Sequence, residues 1–294
     1  MTNHPQLPDG AFITQSASDL PAISCTSRSS NYKLLLQGAQ LLRWAPSHHS
    51  DVVWLSPHAQ LVPGKSPRGG TPICWPWFGP ASLPNLPAHG LVRAHGWIFE
   101  GYSRDINDTD TLQFSTSTSP DTTPDWPHCA TLNLTYRIGP TLGITLETLN
   151  TGDRPFSITE AVHTYLGVSD ARSIEIRGLE NTTYLDRLQA DNRFVQQGAI
   201  SISKEIDRIY VSNSQPCNIV DPGAKRIIQI KTEGSQSRVV WNPWIEKGLK
   251  LGDLGTDDYL RMVCVECGNI SDNAVLVDPG NTHRMHIEYS VLPL

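Results

Sequence analysis

The chain has 294 residues, a formal net charge of −6 and a charged fraction of 18%. This acidic balance argues against a nucleic-acid surface, which needs a basic stripe to neutralise phosphates, and no run of about 18 apolar residues is present to span a membrane. The 22 prolines and 22 glycines are spread along the sequence without a linker-like segment. We therefore expect one domain over residues 1–294, with flexibility confined to about the first dozen.

The N-terminal segment and the cysteines indicate the compartment. Residues 1–10 contain neither the basic region nor the apolar region of a secretory signal peptide. The six cysteines are dispersed through a large chain, which favours free thiols over a disulfide scaffold. We therefore expect a cytoplasmic protein with reduced cysteines.

Short runs with alternating apolar and polar residues dominate the chain. They are rich in Val, Ile, Leu, Thr and Tyr at a period of two, which is typical of strands with one buried face. The last of these runs is predicted to form an edge or closing strand. The predicted strands cover residues 23–28, 32–37, 40–44, 51–55, 96–104, 111–118, 130–138, 142–149, 156–168, 226–232, 237–241, 260–267, 274–277 and 282–291.

Turn residues and the lack of a helical period complete the fold prediction. Residues 150–153 (Asn-Thr-Gly-Asp) and 221–223 (Asp-Pro-Gly) are typical of hairpin turns. No window keeps a 3.6-residue apolar period over three turns, and residues 184–192 are the best candidate for a short helix. The sequence therefore predicts an all-β fold, a large antiparallel β-sandwich bigger than an immunoglobulin domain.

The segment 65–97 is the most distinctive stretch of the chain. It interleaves prolines and glycines with large aromatic residues, so neither a helix nor an interior strand can continue through it. Proline restriction lowers the entropy cost of holding aromatic side chains such as Trp75, and Arg68 and Arg93 flank them. Rigid rings beside forked cations suit a sugar face that carries an anionic group. The alternative is structural, with the rings closing one end of a sandwich and the arginines in solvent.

His163 is the first candidate for proton transfer. The strand period places it on the same face as Ala161, Tyr165 and Gly167. Small neighbours leave space beside the imidazole, whose ordinary pKa of about 6.5 lets it accept or deliver a proton near neutral pH. The alternative is a core histidine that is hydrogen-bonded through both ring nitrogens.

Glu266 is the second candidate for proton transfer. In its predicted strand it shares a face with Met262 and Cys264, while Val263 and Val265 cover the other face. A carboxylate on an apolar face must find a donor or become more basic, which makes Glu266 a plausible general base. The alternative is an edge-strand acid whose carboxylate is in water.

Metal and cofactor motifs are weak or missing. Cys264 and Cys267 form a nominal CxxC pair, but residues three apart on a strand point to opposite faces. The histidine pairs at 48–49 and 283/286 lack acidic or cysteine residues at a recognisable ligand spacing. No nucleophile elbow, P-loop or dinucleotide fingerprint occurs. We expect no metal and no cofactor.

Two longer motifs resemble a known family. Residues 68–80 read Arg-Gly-Gly-Thr-Pro-Ile-Cys-Trp-Pro-Trp-Phe-Gly-Pro, and residues 87–93 read Pro-Ala-His-Gly-Leu-Val-Arg. These motifs resemble the signature of the glucose-6-phosphate 1-epimerase (hexose-6-phosphate mutarotase) family in the aldose 1-epimerase superfamily. Residues 160–165, 240–243 and 265–266 resemble further segments of that family. The resemblance implies the galactose mutarotase-like supersandwich.

The resemblance also implies roles for individual residues. His163 and Glu266 match the catalytic pair, in which the glutamate takes the proton of the anomeric hydroxyl and a protonated histidine donates to the ring oxygen. Arg68 and Arg93 match residues that hold the 6-phosphate, and Asp207 matches one that hydrogen-bonds sugar hydroxyls. The implied reaction is cofactor-free interconversion of the α and β anomers of an aldohexose 6-phosphate, with glucose 6-phosphate as the first candidate.

One position departs from the family pattern. Some members carry a glutamine where this chain has Ala88, so a sugar-contacting amide is absent and His89 is the candidate to replace it. Trp75, one of the rigid aromatic residues of the same segment, is a further candidate for substrate contact. These two residues complete the predicted substrate-binding set.

Three other functions fit parts of the sequence. A non-catalytic carbohydrate-binding protein would use exposed tryptophans, but it does not need a histidine and a glutamate converging from separate strands. A mutarotase for neutral aldoses would share the catalytic pair, but buried arginines favour an anionic substrate. A glycoside hydrolase or lyase would need a second catalytic carboxylate near Glu266, which the sequence does not identify. We expect a small-molecule sugar phosphate as the partner, no nucleic-acid or membrane partner, and a monomer.

Overall fold

The computed structural model describes most of the chain, namely residues 7, 10–15, 20–81, 83, 86–211 and 215–294. Most of the N-terminal dozen for which we predicted flexibility lies outside these residues. Within them strands make up most of the regular structure, and one α-helix and three short 3-10 helices complete it.

Most of the twenty-two strands in the described residues are short. The first eleven are β1 (Ala11–Gln15), β2 (Pro21–Thr26), β3 (Ser30–Leu35), β4 (Gln40–Pro46), β5 (Ile73–Cys74), β6 (Ile98–Arg104), β7 (Asp110–Thr118), β8 (Ala130–Ile138), β9 (Leu142–Asn150), β10 (Phe156–Ile158) and β11 (Glu160–Val162). The others are β12 (Tyr165–Gly167), β13 (Glu175–Arg177), β14 (Thr183–Asp186), β15 (Asn192–Val195), β16 (Ile206–Val211), β17 (Cys217–Asp221), β18 (Arg226–Glu233), β19 (Ser237–Asn242), β20 (Met262–Asn269), β21 (Val275–Val277) and β22 (Thr282–Pro293). The helix α1 covers Trp244–Leu251, and the 3-10 helices cover Arg187–Gln189, Asp258–Leu260 and Ser271–Asn273.

Two eight-stranded antiparallel sheets form the body of the fold. In the first, which we call the site sheet, the order is β15-β14-β16-β19-β20-β11-β5, and β12 also pairs with β20. In the second, the back sheet, the order is β13-β17-β18-β22-β9-β8-β7-β6. Strands β1 to β4 form a four-stranded sheet, and β10 pairs with β21. The predicted all-β class with antiparallel sheets is confirmed.

Alternation along β20 shows how the two large sheets pack. Val263, Val265 and Cys267 lie in the apolar core that also contains side chains of β8, β9, β18 and β22 from the back sheet. Met262 and Cys264 belong to a separate cluster on the other face of the site sheet. Cys264 and Cys267 therefore point to opposite faces, as the strand period predicted, and all six cysteines are free. The face of the site sheet that carries Met262 and Cys264 is therefore the one that can form a site.

One of the two predicted turns is confirmed, whereas the other turn and the predicted edge position of the last strand are wrong. Residues 221–223 do begin the turn between the paired strands β17 and β18. Residues 150–153 do not form a hairpin, because β9 pairs with β8 and β22 whereas β10 pairs with β21. Strand β22 lies between β18 and β9 in the middle of the back sheet, not at an edge. Local turn composition specifies a change of direction, but it does not specify which strands pair.

The helix predictions were wrong in both directions. Residues 184–192 form part of β14, the 3-10 helix Arg187–Gln189 and the start of β15, not an α-helix. The α-helix is α1, where Asn242 Oδ1 accepts from Trp244 N at 2.9 Å and Gly252 ends the helix with φ +71°. At eight residues α1 is too short to show a sustained apolar period.

Candidate active site

The proline-rich segment 65–97 is hydrogen-bonded to the stretch of chain that carries His163. His163 N donates to Pro72 O and Tyr165 N donates to Gly70 O, each at 2.9 Å. Among the described residues of the segment, Ile73–Cys74 alone joins the site sheet, as the edge strand β5. The segment is therefore an ordered loop, as predicted, and its prolines restrict strand pairing to two residues.

Gly90 lets the second half of the segment close on the first. It has φ +86°, and a Cβ at this position would overlap the Trp75 carbonyl group. His89 N donates to Gly79 O at 2.7 Å in the same turn. Only glycine fits so close to another backbone in this conformation, and the result is that His89 lies beside the strand of His163.

A break between β11 and β12 presents the His163 side chain. The strand predicted over residues 156–168 is divided into β10, β11 and β12, and His163 lies in the second gap. Its imidazole stacks on Tyr165, with ring centroids 4.9 Å apart and planes 14° apart. The Trp241 ring meets the imidazole edge-on at 6.1 Å. Aromatic neighbours therefore fix the orientation of the imidazole.

Glu266 lies on β20 and faces His163. It shares the face of Met262 and Cys264, as the strand period predicted, and its side chain is 2% exposed. Glu266 Oε1 is 3.3 Å from His163 Nε2. Glu266 Oε2 and His163 Nδ1 are buried and make no hydrogen bond with the described residues. The pair thus keeps unused hydrogen-bonding capacity in a buried place.

Burial and neighbouring charges set the protonation state of this pair. Burial raises the pKa of Glu266 well above its ordinary value, and the nearby Asp207 carboxylate adds to the rise, while Arg93 opposes it. Burial also lowers the pKa of His163 well below its ordinary value, and the Arg93 guanidinium adds to that effect. Both pKa shifts favour the uncharged forms in the free site, a protonated carboxyl group and a neutral imidazole.

Two arginines stand at one end of the site, and they differ in their partners. Arg68 Nε donates to Asp253 Oδ1 at 2.9 Å, and Arg68 Nη1 donates to the Tyr165 hydroxyl at 3.0 Å. Arg93 has no ion-pair partner among the described residues, and its Nε is buried without a hydrogen bond to them. A partly buried cation without a counter-charge favours an anionic ligand at this end.

His89 lies near His163 and lines the same space as Arg93. Its Nδ1 accepts from Gly79 N at 3.3 Å, so its Nε2 carries the proton. Its ring meets the His163 ring edge-on at 5.9 Å. Burial, with the field of Arg93, lowers the pKa of His89 to about 4. His89 is therefore a neutral hydrogen-bond donor at neutral pH.

Asp207 lies near Glu266 in the site. It lies on β16, and its Oδ2 is 3.7 Å from Lys247 Nζ, which is also 3.0 Å from Glu205 Oε1. Burial raises the pKa of Asp207, and Lys247 opposes that rise. Sequence analysis missed Lys247 because it missed α1. The sequence signals that could have found the helix are the Asn-Pro start at residues 242–243 and the glycine stop at 252.

Trp75 corrects one prediction. It is fully buried, its Nε1 donates to the Thr148 hydroxyl at 3.0 Å, and its ring meets Trp126 edge-on at 5.2 Å. The alternation of β5 continues into the next residue, so Cys74 points to the site face and Trp75 points to the inter-sheet core. The predicted substrate contact of Trp75 was wrong, and the structural alternative holds for this residue.

These side chains line a cleft with two lobes. The wide lobe, of about 810 Å³, is lined by Arg93 and residues 87–91 among others. The narrow lobe, of about 230 Å³, is lined by Glu266, Asp207, Trp241 and Lys247 among others. Arg68, His89 and His163 line both lobes. Six of the seven predicted site residues therefore surround one cleft, whose size is that of a small-molecule site.

Metal ligation and membrane insertion find no support in the described residues. No group of three or more His, Cys, Asp or Glu side chains is arranged there to hold a metal ion. None of the helices found in those ranges has the length and apolar character needed to cross a membrane.

Comparison with known proteins identifies similar sequences. The family model described as Aldose 1-epimerase matches residues 21–290. A protein of Escherichia coli (strain K12) is 36% identical over 239 residues, which cover 81% of this chain and 79% of that protein. A protein of Cenchrus ciliaris is 33% identical over 276 residues, which cover 89% of this chain and 81% of that protein. Both carry the name "Putative glucose-6-phosphate 1-epimerase".

A solved structure shows the same fold. The crystal structure of "a putative mutarotase (YeaD)" from Salmonella typhimurium superposes with a TM-score of 0.91 at 29% sequence identity. The superposition covers 99% of this chain and 96% of that one. The two large sheets, the loop segment and the cleft are thus parts of a mutarotase-like fold.

Proposed function

Because this chain belongs to the aldose 1-epimerase family, we propose that it interconverts the α and β anomers of an aldohexose 6-phosphate, with glucose 6-phosphate as the first candidate. The names of the relatives support this substrate. The observation that carries the proposal is the contact between Glu266 and His163 in a cleft where Arg93 lacks an ion-pair partner among the described residues. A proton-transfer pair and an anion site then lie within one sugar-sized space.

Anomer exchange requires two proton transfers in each direction. Opening of the pyranose removes the proton from the anomeric hydroxyl and adds a proton to the ring oxygen as the C1–O5 bond breaks. Rotation of the aldehyde and closure on its other face reverse both transfers. In the proposed reaction Glu266 takes the O1 proton and His163 donates to O5, and both protons return on closure. The enzyme ends with the protons it began with, and no co-reactant is consumed.

The contact distance allows the pair to reach its reactive form. In the free site burial favours a protonated Glu266 and a neutral His163. Glu266 Oε1 and His163 Nε2 are 3.3 Å apart, so the Glu266 proton can pass to the imidazole and leave a carboxylate base beside an imidazolium acid. A phosphate dianion beside Arg93 would offset the cationic field that lowers the pKa of His163 and so favour the imidazolium form.

The arginine end of the cleft fits the 6-phosphate. Arg93 offers a guanidinium without a carboxylate partner among the described residues, and Arg68 uses two of its five N–H donors for Asp253 and Tyr165. Arginine binds phosphate through paired N–H groups, and phosphate anchoring would also orient the ring over the proton-transfer pair. His89 Nε2 and Asp207 are left to hydrogen-bond the sugar hydroxyls.

NMR exchange spectroscopy tests the proposal directly. Anomer exchange of glucose 6-phosphate is measured with and without catalytic amounts of protein, alongside glucose and galactose. We expect acceleration for the phosphorylated sugar and much weaker acceleration for the neutral sugars. Acceleration of galactose alone would assign the protein to neutral aldoses. No acceleration of any sugar would overturn an epimerase function and leave a carbohydrate-binding protein.

A further inference from the structure

We propose that Tyr165 is a positioning residue that links the anion end of the cleft to the catalytic histidine. The inference rests on the proposed function for the identity of the anion and of the reacting sugar. Its structural basis is that one buried side chain contacts His163 through its ring and Arg68 through its hydroxyl. Neither the family resemblance nor the fold assigns this residue a role.

The ring of Tyr165 holds the imidazole. The two planes are nearly parallel, with centroids 4.9 Å apart, and Trp54 stacks on Tyr165 with centroids 6.3 Å apart. Tyr165 is 1% exposed, and its backbone N–H and C=O are bonded to Gly70 and Trp54. A side chain fixed in this way restricts the tilt of the His163 ring, and that tilt decides whether Nε2 can reach the ring oxygen of a bound sugar.

The hydroxyl of Tyr165 holds the guanidinium. Arg68 Nη1 donates to Tyr165 Oη at 3.0 Å, and Arg68 Nε donates to Asp253 Oδ1 at 2.9 Å. The two acceptors bind different nitrogens of the planar guanidinium. Together they therefore fix its plane. The remaining N–H donors then point in a defined direction before a phosphate arrives. A preorganised cation loses less entropy on binding its ligand.

The Tyr165 side chain therefore positions both the His163 imidazole and the Arg68 guanidinium. Phosphate binding at Arg68 and proton donation by His163 depend on the same side chain, so binding energy gained at the phosphate can be used to orient the reacting atoms. The two contacts use different parts of Tyr165, which allows them to be separated by mutation. Loss of the hydroxyl should affect phosphate recognition, and loss of the ring should affect chemistry.

The first test compares Tyr165→Phe with Tyr165→Leu in the full chain. Tyr165→Phe keeps the ring, and we expect KM for glucose 6-phosphate to rise about tenfold, because a hydrogen bond to a charged group is lost, with kcat and the values for glucose unchanged. Tyr165→Leu removes the ring, and we expect kcat to fall about fivefold to tenfold for both sugars. Thermal unfolding of each variant corrects the rates for the folded fraction.

Tyr210→Phe is the matched control. Tyr210 is fully buried and its hydroxyl donates to Gln196 at 2.7 Å, on the core face of the site sheet. We expect this variant to keep the wild-type KM for glucose 6-phosphate. If Tyr165→Phe behaves like Tyr210→Phe, or raises KM equally for glucose and glucose 6-phosphate, Tyr165 is a structural core residue and the proposal fails.

Two readouts do not depend on turnover. Inorganic phosphate is titrated into the wild-type protein and Tyr165→Phe, and we expect about tenfold weaker binding in the variant. The ¹⁵N signals of the His163 imidazole should be unchanged in Tyr165→Phe and shifted in Tyr165→Leu. A wild-type protein without epimerase activity would overturn the proposed function alone. Equal phosphate binding by both proteins would overturn the Arg68 link whatever the activity.

Discussion

The described residues contain two histidine–glutamate pairs with a buried carboxyl group, and one of the two lies in the cleft. In the first, Glu266 Oε1 is 3.3 Å from His163 Nε2. In the second, Glu160 Oε1 is 2.7 Å from His283 Nε2, and Asn269 Nδ2 donates to the same oxygen at 3.1 Å. The chemical groups are the same, so the difference in role must come from where the fold places them.

The two pairs lie on opposite faces of the site sheet. Glu266 shares the face of Met262 and Cys264, whereas Asn269 follows the alternation of Val265 and Cys267 into the inter-sheet space. The second pair joins β11 of the site sheet to β22 of the back sheet. It therefore acts as a link between the sheets, while the first pair faces a space that can admit a sugar.

Replacing the glutamate of the first pair gives the largest expected effect. Glu266→Gln should lower kcat for glucose 6-phosphate by about 10²–10⁴-fold, because the proton acceptor is lost. Glu160→Gln is the matched control and should retain the wild-type kcat. Anomer exchange by NMR provides the rates, and circular dichroism shows that both variants are folded. Normal turnover by Glu266→Gln would remove its catalytic assignment.

Removing the histidine of the second pair should destabilise the protein without changing its chemistry. His283→Ala removes one of the two side chains that contact the fully buried Glu160 Oε1 and leaves Asn269 as the other, and we expect a loss of about 2 kcal/mol in the free energy of unfolding. Urea denaturation measures this loss, with His286→Ala on the same strand as the control. A fall in kcat per folded molecule as large as that of Glu266→Gln would show that the two pairs are not distinct in role.

The cation beside the first pair provides the next test. Arg93→Ala should raise KM for glucose 6-phosphate by about tenfold or more, because charge-assisted hydrogen bonds to the phosphate are lost. KM for glucose should stay the same. Arg43→Ala removes an exposed arginine paired with Asp51 and should leave both values unchanged. An equal effect of Arg93→Ala on both sugars would argue against a phosphate role.

The pH dependence of the free energy of unfolding gives the smallest expected effect. Of the two pairs, it tests the Glu266–His163 pair. Burial raises the folded-state pKa of Glu266, so its contribution to stability is fully present below the unfolded pKa of about 4.3 and is lost as pH rises through the folded pKa. Urea unfolding at increasing pH should therefore show a decline for the wild-type protein that is weaker in Glu266→Gln. Parallel curves for the two proteins would contradict the raised pKa.

The acidic range of the same stability curves reports on the pKa of His163. Burial lowers the folded-state pKa of His163, so its contribution is present above the unfolded pKa of about 6.5 and is lost as pH falls towards the folded value. Glu266→Gln should keep this decline. His163→Gln should weaken it while leaving the alkaline decline in place.

Local patterns predicted the parts of the molecule that depend on local geometry. The period of two placed Glu266 on one face and Val265 on the other, and the proline-rich segment was predicted as an ordered loop. The same reasoning failed for residues 150–153, because a turn does not specify its partner strands. It failed for α1 because eight residues carry too little periodicity.

The sequence alone determined the all-β class, the family resemblance and the candidates His163 and Glu266. The tertiary structure decided that these two side chains touch and that Trp75 turns into the core. It also decided that Tyr165 bridges His163 and Arg68. The physical reason is that side-chain alternation is a property of each strand, whereas contacts between His163 and Glu266 depend on the pairing of strands that lie about a hundred residues apart in the chain.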